Sequence, residues 1–481
     1  MKREIYLDAA FGDLRAAVLE DNTLCELIWE RKTSDKLTET IFLGRVEQIR
    51  PSVGAAFIDI GQPLNAFLPL DEHQKLRCGD MIIVQGAAKQ ATQTKGLRVT
   101  SRINLAGKWL VLVPDGSGVH VSKKVKDPDL RMQLTEIGEE ISPPDCGLIV
   151  RTASEDVTES ALIEEATRLH AQWQSIRLRA KAAVKPCVLN ERISLDRRLI
   201  RDLGGKDLSG VTTNDRGCFA RLCQEKAEGR MPADAQIRLY EETTQLLFDV
   251  FSIEPQIDKA LKKRVWLPCG GYLILDPCEA MTVIDVNSGK MTLGRNPEDT
   301  ALRVNLEAAD EIARQIRLRD IGGIIICDFI DMADPSHREM LVSHMKEAVK
   351  ADRSAVKVEG ITKLGLLEMT RKRVDDSLYR TLKTSCTYCA GDGFLLSAQE
   401  VAARAMRQVR RNLLSGQRGP FIIRCAPACA QSLAQYECTD EARVYVLSTA
   451  SKHQERFEIE QIGEEVPVPK GAVAMNKGSE K

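Results

Sequence analysis

Two short segments decide the fold of this chain: MTVIDVNSGK, residues 281–290, and IIICDFIDM, residues 324–332. Each contains an apolar run that reaches a single aspartate, Asp285 or Asp328. Side chains of an extended strand alternate between two faces, so Asp285 and Asn287 should project from one face while the apolar residues fill the other. The pattern predicts two strands of an α/β domain, each ending in a carboxylate.

The two aspartates suggest a divalent metal site. A carboxylate at the end of a buried strand is costly unless a positive group meets it. Two such strands side by side would bring Asp285 and Asp328 together. Mg²⁺ suits this arrangement because it binds few protein oxygens and keeps water or phosphate oxygens in its other positions. The competing interpretation is that each aspartate only caps the turn or helix that follows.

A helix is predicted between the two segments. Residues 305–320, NLEAADEIARQIRLRD, have the apolar periodicity of an amphipathic helix. Asp310 and Arg314 are spaced to form an i,i+4 ion pair, and Gly322 and Gly323 should end the helix. Strands alternate with helices throughout residues 264–383, which is typical of an α/β domain.

Composition limits the possible classes of protein. At 481 residues the chain is long enough for several domains. Lysine and arginine number 68 against 69 acidic residues, so any nucleic-acid site must be local. The 14 cysteines form no secretory framework, and neither a signal peptide nor a membrane-spanning run is evident. These features favour a protein of the reducing cytoplasm.

Residues 38–105 contain several short strands separated by glycine, proline and aspartate, which indicates a small barrel. Phe57 and Phe67 lie in two of these strands, and Lys95 and Arg98 follow near the end. Exposed aromatic rings with basic neighbours would form a stacking platform for single-stranded bases. The alternative places both phenylalanines in the barrel core.

Two further motifs are weaker. Arg151 and Thr152 end the strand GLIV and could bind a terminal phosphate through a guanidinium fork and a hydroxyl, although a surface salt bridge is an alternative. Cys386 and Cys389 form C-T-Y-C before A-G-D-G, the pattern of a zinc knuckle. Two sulfurs are half of a tetrahedral site. The other half could be Cys425 with Cys429, or the same two cysteines of a second chain.

The order of these motifs identifies a family. The stretches EAMTVIDVNSGK, NLEAADEIARQIRLRDIGGIIICDFIDM and KLGLLEMTRKR, followed by the C-x-x-C, together resemble bacterial ribonucleases of the E/G family over residues 1–465. The segment GRVEQIRPSVGAAFIDIGQPLNAFLPL is similar to an OB-fold RNA-binding module. The chain ends soon after the small domain, so it resembles the shorter members or a catalytic half, and partners of a long scaffold are not expected.

The resemblance implies a multidomain α/β fold. Its expected parts are an RNase H-like domain in two pieces, with an OB-fold and a 5′ sensor inserted, then a DNase I-like catalytic domain, a zinc-link and a small dimerisation domain. The expected boundaries are 1–36 and 198–262 for the RNase H-like pieces, 37–105 for the OB-fold, 106–197 for the sensor, 263–383 for the catalytic domain, 384–393 for the zinc-link, 394–465 for the small domain and 466–481 for a disordered tail.

The resemblance also implies residue roles. Asp285 and Asp328 would be the catalytic Mg²⁺ ligands, with Asn287 orienting them. The RNA-binding residues of the OB-fold would be Phe57, Phe67 and Lys95. The pocket for a 5′-monophosphate would be formed by Gly107, Val111, Arg151 and Thr152. Cys386 and Cys389 would hold a structural Zn²⁺ shared between two protomers, which favours the intermolecular site, and pairing of such dimers into tetramers stays open.

The expected function is Mg²⁺-dependent endonucleolytic hydrolysis of single-stranded RNA, leaving a 5′-phosphate and preferring 5′-monophosphorylated substrates. Processing of ribosomal or transfer RNA and decay of messenger RNA are the expected settings. One alternative is a zinc-linked RNA-binding protein without catalysis. Another is a metal-dependent phosphoesterase acting on DNA or small phosphates, which the aromatic and basic barrel makes less favourable.

Overall fold

The structure is a computed structural model of the chain. It describes residues 2–31, 37–70, 76–87, 96–155, 157–242, 244–289, 297–373, 377–389, 391–436, 443–463 and 465–475. Two compact units are present, Met1–Leu382 and Lys383–Lys481. Each unit combines sheets with helices, so the chain is a multidomain mixed α/β protein, as the sequence predicted.

The elements of the first unit follow one another as β1 (Arg3–Ala10), β2 (Asp13–Glu20), β3 (Thr23–Arg31), β4 (Ile41–Arg50), β5 (Ala55–Asp59), β6 (Ala66–Pro69), β7 (Met81–Gly86), β8 (Val99–Thr100), β9 (Leu105–Ala106), β10 (Leu110–Pro114), β11 (Val119–Val121), α1 (Pro128–Ile141), β12 (Cys146–Val150), α2 (Glu159–Ala182) and β13 (Cys187–Asn190). They continue as α3 (Leu195–Leu203), β14 (Leu208–Thr213), α4 (Arg216–Ala227), β15 (Gln236–Leu239), α5 (Leu247–Val250), α6 (Glu254–Ala260), β16 (Arg264–Trp266), β17 (Tyr272–Pro277), β18 (Met281–Asn287), α7 (Pro297–Leu318), β19 (Gly323–Asp328), α8 (Pro335–Ala348), β20 (Val356–Ile361), β21 (Leu366–Arg371) and α9 (Leu378–Leu382).

Among the residues that the structure describes, three sheets precede the one that contains the aspartates. The first has the order β15-β14-β1-β2-β3 and joins strands from both sides of residues 37–197. The second has the order β6-β5-β4-β7-β8, with β13 also paired to β4. Phe67 of β6 forms a bridge to Arg98, next to β8, so these strands nearly close a barrel. The third, β11-β12-β10-β9, packs against α1 and α2.

The sheet of the two quoted segments has the order β16-β17-β18-β19-β21-β20. Its strands β18 and β19 are parallel, which requires a crossover connection, and α7 is the helix between them. Helices α7 and α8 cover one face of the sheet, where apolar side chains of both layers form a common core. The other face carries the polar side chains, and we call it the open face.

Helix α7 confirms the predicted amphipathic helix, although it begins at Pro297, before the predicted Asn305, and differs in two further details. Asp310 does not pair with Arg314: it contacts His344 at 2.8 Å, while Arg314 contacts Glu311 at 2.5 Å. Glu311 is one residue closer to Arg314, at i,i+3, and pairs with its guanidinium instead. The helix also ends at Leu318, before the two glycines, and Gly323 instead begins β19 with a φ of 100°.

The C-terminal turns of α7 reach the first sheet. Arg317 forms ion pairs with Glu20 at 2.8 Å and with Glu26 at 3.3 Å. Arg314 donates a hydrogen bond to the carbonyl oxygen of Leu24. All three partners lie on β2 and β3. The helix therefore contacts both its own sheet and the sheet at the start of the chain.

The second unit contains α10 (Ala398–Leu414), β22 (Phe421–Cys425), α11 (Pro427–Leu433), β23 (Val444–Ser448), β24 (Phe457–Gln461) and β25 (Val473–Ala474). Its sheet has the order β24-β22-β23-β25. Strand β25 falls in the segment predicted as a disordered tail, yet it pairs with β23, which departs from that prediction. Residues 476–481 lie outside the described part.

In the part of the chain that the structure describes, no helix combines the length and the apolar character needed to cross a bilayer.

Candidate active site

The two aspartates singled out in the sequence lie side by side on neighbouring strands. The parallel register of β18 and β19 pairs Asp285 with Asp328. Paired residues on adjacent strands point to the same face, and the strands are about 5 Å apart. The two carboxylates therefore leave the sheet together, close enough to share one ion.

Both carboxylates lie on the open face. In β18 Ile284 and Val286 are buried while Asp285 is exposed. In β19 Cys327 is buried while Asp328 is exposed. The strict alternation confirms the predicted facing of these residues. The strands are covered on one face only, however, so the aspartates do not bear the cost of full burial that the sequence argument assumed.

Asn287 orients one of the two carboxylates. Its Nδ2 atom donates a hydrogen bond of 2.6 Å to Oδ2 of Asp285. Asn287 is two residues further along the same strand, so the alternation of side chains places both groups on the open face. A carboxylate has about four lone-pair sites, so this bond leaves Asp285 able to accept further ligands.

The segment after β19 is fixed by a buried asparagine of α7. Asn305 has no exposed surface. Its Nδ2 donates to the carbonyl oxygen of Ile330 at 2.8 Å, and its Oδ1 accepts from the Ile330 backbone N–H at 3.0 Å. Ile330 is two residues beyond Asp328, so Asn305 fixes the backbone that leaves the site.

Glu298, at the start of α7, holds the next residues. Its carboxylate accepts hydrogen bonds from the backbone N–H groups of Ala333 at 3.1 Å and Asp334 at 3.0 Å. Asp334 in turn caps α8 by accepting from the N–H of Ser336. Asp328 therefore does not cap the following helix, which removes that part of the competing interpretation for this aspartate. Sequence analysis missed both Asn305 and Glu298, although a polar residue on the inward face of a helix is a detectable signal.

The donor set suits a hard divalent cation. Mg²⁺ commonly uses one or two protein carboxylates and completes its octahedron with water and phosphate oxygens. Asp285 and Asp328 supply two carboxylates on an exposed surface with room for such ligands. Among the described residues no cluster of three or more histidine, cysteine or acidic side chains is present. Water and phosphate oxygens would complete the coordination of a cation held by this pair.

Phe57 and Phe67 form an aromatic pair on the outside of the barrel sheet. They are register partners on β5 and β6, their ring centroids are 6.1 Å apart, and the rings meet edge to face. Both are half-buried, whereas their neighbours Ile58 and Leu68 fill the barrel core. The guanidinium of Arg50 lies 5.5 Å from the Phe57 ring. The alternative that both rings belong to the core is wrong, and Lys95 lies outside the described residues.

The four residues expected to form the sensor pocket lie around the end of β12 and the turn between β9 and β10. Arg151 donates through Nη1 to the carbonyl oxygen of Gly107 at 2.7 Å and pairs through Nη2 with Asp202 at 2.9 Å. Val111 lies opposite Ala106, the residue before Gly107. The salt-bridge alternative for Arg151 is thus realised, and a phosphate would meet a guanidinium already oriented by Asp202.

Thr152 completes this group. Its Oγ1 donates to Oγ of Ser122 at 3.1 Å. The burial and pairing of Asp202 set its charge: burial alone would raise its pKa, but the guanidinium groups of Arg201 and Arg151 lower the pKa of that carboxyl below its ordinary value. Asp202 therefore stays ionised and holds Arg151 in place.

Glu165, which the sequence analysis did not single out, shapes the turn at Gly107. Its buried carboxylate accepts from the backbone N–H groups of Lys108 at 2.9 Å, Trp109 at 2.7 Å and Leu110 at 2.8 Å. A Cβ atom on Gly107 would lie 2.5 Å from the Glu165 carboxyl carbon. The glycine is therefore required for this close approach.

In the second unit, Cys386 and Cys389 lie in a short turn that is followed by two glycines with positive φ. The backbone N–H of Gly393 donates to Sγ of Cys389 at 3.3 Å. Gly391 and Gly393 have φ values of 91° and 81°, which a side chain would disfavour. Hydrogen bonds from the backbone N–H groups of Cys389 and then Tyr388 lower the pKa of the Cys386 thiol. A thiolate is the form that binds zinc.

The intrachain alternative for the zinc site is not formed. Cys425 and Cys429 are both fully buried in the core of the second unit. A metal shared by the four cysteines would appear as a cluster of metal-binding side chains, and none is present in the described ranges. Cys386 and Cys389 therefore offer two sulfurs without the other cysteine pair beside them.

A family model and three curated relatives that match this chain belong to the ribonucleases E and G. The model of the Ribonuclease E/G family matches residues 104–374, which include Asp285, Asn287 and Asp328. The chain is 32% identical to Ribonuclease G of Escherichia coli strain K12 over 488 residues, covering 95% of this chain and 99% of that protein. It is 33% identical to Ribonuclease G of Haemophilus influenzae, covering 90% and 92%. It is 36% identical to Ribonuclease E of Nostoc strain PCC 7120, covering 79% and 57%.

Proposed function

Because the chain belongs to the ribonuclease E/G family, we propose that it is an endoribonuclease that cuts single-stranded RNA with the help of Mg²⁺ held by Asp285 and Asp328. The observation that supports this most directly is the register of β18 and β19, which pairs the two carboxylates on an exposed face. The neighbouring alternation of buried and exposed residues leaves that face open to a long substrate.

The protein's own groups prepare the site. Asp285 and Asp328 supply negative charge at one point of the sheet, and Asn287 fixes the first of them through its 2.6 Å hydrogen bond. Asn305 fixes the backbone that follows Asp328. When bound, Mg²⁺ would supply Lewis acidity toward the phosphodiester and favour deprotonation of an attacking water. In the proposed hydrolysis water attacks the phosphorus and the P–O3′ bond breaks, so that the upstream product ends in a 3′-hydroxyl and the downstream product carries a 5′-phosphate.

We assign binding of unpaired bases to Phe57 and Phe67. Two half-exposed rings on adjacent strands offer stacking surfaces that accept any base. Arg50, beside Phe57, adds a cation for the phosphate backbone. Lys95 keeps the role that the family resemblance gave it.

The preference for a 5′-monophosphate would reside in Gly107, Val111, Arg151 and Thr152. The guanidinium of Arg151 is oriented by Gly107 and Asp202, and the hydroxyl of Thr152 lies on the following residue. An ionised phosphate group is a strong acceptor for such donors. The substrate would then be held at its 5′ end, at its bases and at the bond that is cut.

We further propose that Cys386 and Cys389 share a Zn²⁺ ion with the same cysteines of a second chain. The two sulfurs and the backbone donors around them fit half of a tetrahedral thiolate site. The resulting homodimer would act in the cytoplasm, in processing of ribosomal or transfer RNA or in messenger RNA decay.

The test is cleavage of one defined single-stranded RNA carrying a 5′-hydroxyl, monophosphate or triphosphate, with and without Mg²⁺. We expect cleavage that requires Mg²⁺ and is fastest with the monophosphate. Asp285→Asn should lower the rate at least about 100-fold, since metal stabilisation of charge supplies several kcal/mol.

Asp276→Asn is the matched control for this substitution. Asp276 lies on the adjacent strand β17 and on the same open face, where it pairs with Lys263. The Asp276→Asn variant should cleave RNA at the wild-type rate. Wild-type protein that binds but never cuts RNA would favour the non-catalytic alternative, and an unaffected Asp285→Asn would remove the metal assignment.

A further inference from the structure

A large cavity lies within the first unit, away from the paired aspartates. Its volume is about 1050 Å³. The barrel sheet, the turn at Gly107, helix α2, the region of α3 and α4, and the two residues after β21 all contribute to its lining. Asp328 pairs with Leu366 at the start of β21, whereas Lys372 and Arg373 of the lining follow the end of that strand, so the cavity lies away from the aspartates. We call this cavity the basic chamber.

The charge of the basic chamber is unlike that of the whole chain. Ten arginine or lysine side chains line it against five glutamates, among the residues that the structure describes, which leaves a formal charge of +5. The complete chain has a formal charge of −1. A cleft lined by one sign of charge concentrates the field and attracts ions of the opposite sign.

Several of the five glutamates are already engaged. Glu165 accepts three backbone N–H groups, and Glu225 is bound by Arg230 at 2.8 Å. Arg192, in contrast, has a buried Nε that finds no hydrogen-bond acceptor in the described ranges; the nearest carboxylate oxygens to its guanidinium, on Glu30 and Glu39, are 3.7 and 3.8 Å away. The exposed cations of the lining, Arg98 and Lys372 among them, are the groups that an anion entering the chamber would meet.

The basic chamber adjoins both proposed RNA contacts. Arg98 lines the chamber and bridges Phe67 of the aromatic pair, so the two side chains share a face of the barrel sheet. Gly107 and Lys108 also line it, and Gly107 accepts from Arg151 of the sensor group. A strand held at the aromatic pair and at the sensor would pass the chamber.

We infer that the basic chamber binds the sugar–phosphate backbone of the RNA segment between the 5′ end and the bases stacked on Phe57 and Phe67. This inference rests on the proposed function. It assigns RNA contacts to cations that neither the paired aspartates nor the sensor uses, including Arg98 and Lys372, both of which are exposed. Binding there is through phosphates and therefore independent of base sequence.

The test is the salt dependence of RNA binding. A 5′-monophosphorylated RNA of about 20 nucleotides, labelled at its 3′ end, is titrated by fluorescence anisotropy between about 50 and 200 mM salt. All proteins carry Asp285→Asn, and no divalent metal is added, so that bound RNA stays intact. Each phosphate contact to a single strand contributes about 0.7 to the slope of log Kd against log salt.

The double variant Arg98→Gln, Lys372→Gln should reduce that slope by about 1.4, which lowers the ratio of Kd at 200 and 50 mM salt about sevenfold. The charge-conserving Arg98→Lys, Lys372→Arg should keep the full slope. Arg216→Gln, Lys357→Gln is the matched control, because both side chains are exposed and lie outside the chamber.

A slope for Arg98→Gln, Lys372→Gln equal to that of the control would overturn the inference. This outcome differs from failure of the proposed function, which would show as wild-type protein that does not cut RNA. A wild-type enzyme that cuts RNA, together with an unaltered slope in the double variant, would leave the proposed function standing and remove the basic chamber from the RNA path.

Discussion

The replacement Asn305→Ala should lower both the stability of the protein and its affinity for Mg²⁺. Asn305 is fully buried and makes two hydrogen bonds to the backbone of Ile330, at 2.8 and 3.0 Å. Removing the side chain deletes both bonds and leaves a partly buried N–H and carbonyl without these partners. We expect a loss of about 2–4 kcal/mol in the free energy of unfolding.

The same substitution should weaken binding of Mg²⁺. Ile330 is two residues beyond Asp328, so freeing its backbone loosens the second carboxylate. Loss of a residue that orients a metal ligand typically costs about 10–100-fold in metal affinity or activity. We expect the Mg²⁺ concentration for half-maximal cleavage to rise by at least about tenfold, measured on a 5′-monophosphorylated RNA at a temperature where the variant is folded.

Gln315→Ala provides the matched control. Gln315 lies on the same helix, is 2% exposed and makes two side-chain hydrogen bonds, to Glu311 at 2.8 Å and from Arg319 at 2.5 Å. It does not contact the segment after β19 in these bonds. Urea denaturation should show comparable losses for both variants, with a changed Mg²⁺ requirement only for Asn305→Ala. Equal Mg²⁺ requirements would refute the positioning role of Asn305.

Three further predictions concern other parts of the chain. Burial alone would raise the pKa of Glu20, but its hydrogen bonds and ion pairs with Arg317 and then Arg3 lower the pKa to about 2. The ionised carboxylate therefore contributes about 3 kcal/mol to the free energy of unfolding above pH about 4.5, and this contribution is lost as the pH falls toward 2. Urea denaturation across this range should show a shrinking difference in stability between wild type and Glu20→Gln, and a constant difference would contradict the prediction. Gly107→Ala should destabilise the protein by about 1–3 kcal/mol and reduce the preference for 5′-monophosphorylated over 5′-hydroxyl RNA, because its methyl group would collide with the Glu165 carboxylate; unchanged values of both would argue against this role of the glycine. Cys386→Ser should lower the zinc content and shift the mass measured by light scattering toward the monomer, whereas a stable dimer would exclude the shared zinc.

The sequence was most informative where a local period determines the outcome. The alternation of apolar and polar residues in β18 placed Asp285 and Asn287 on one face, and the structure has this arrangement. The spacing of apolar residues likewise predicted the helix that became α7. Both features depend on the geometry of a single element, which the order of residues expresses directly.

Features that depend on residues far apart in the chain were harder to predict from the sequence. Asn305 binds the backbone of a residue 25 positions away, and Glu165 binds backbone groups 55 to 57 positions away. A backbone N–H has the same chemistry at every residue, so nothing in the sequence of the bound segment marks it. The partner of Arg314 was mispredicted for a similar reason. Asp310 and Glu311 are both within reach of its guanidinium, and the contact of Asp310 with His344, 34 residues away, could not be read from the helix alone.

Helix α7 has a consequence for how the molecule opens. At one end Glu298 and Asn305 hold the backbone beyond Asp328, and at the other Arg317 and Arg314 hold β2 and β3. Structural units joined in this way tend to open together, so amide protons of the first sheet and of β19 should exchange with deuterium as one cooperative block. The temperature at which the protein loses activity would then depend on the stability of the first sheet, which contains none of the proposed catalytic residues.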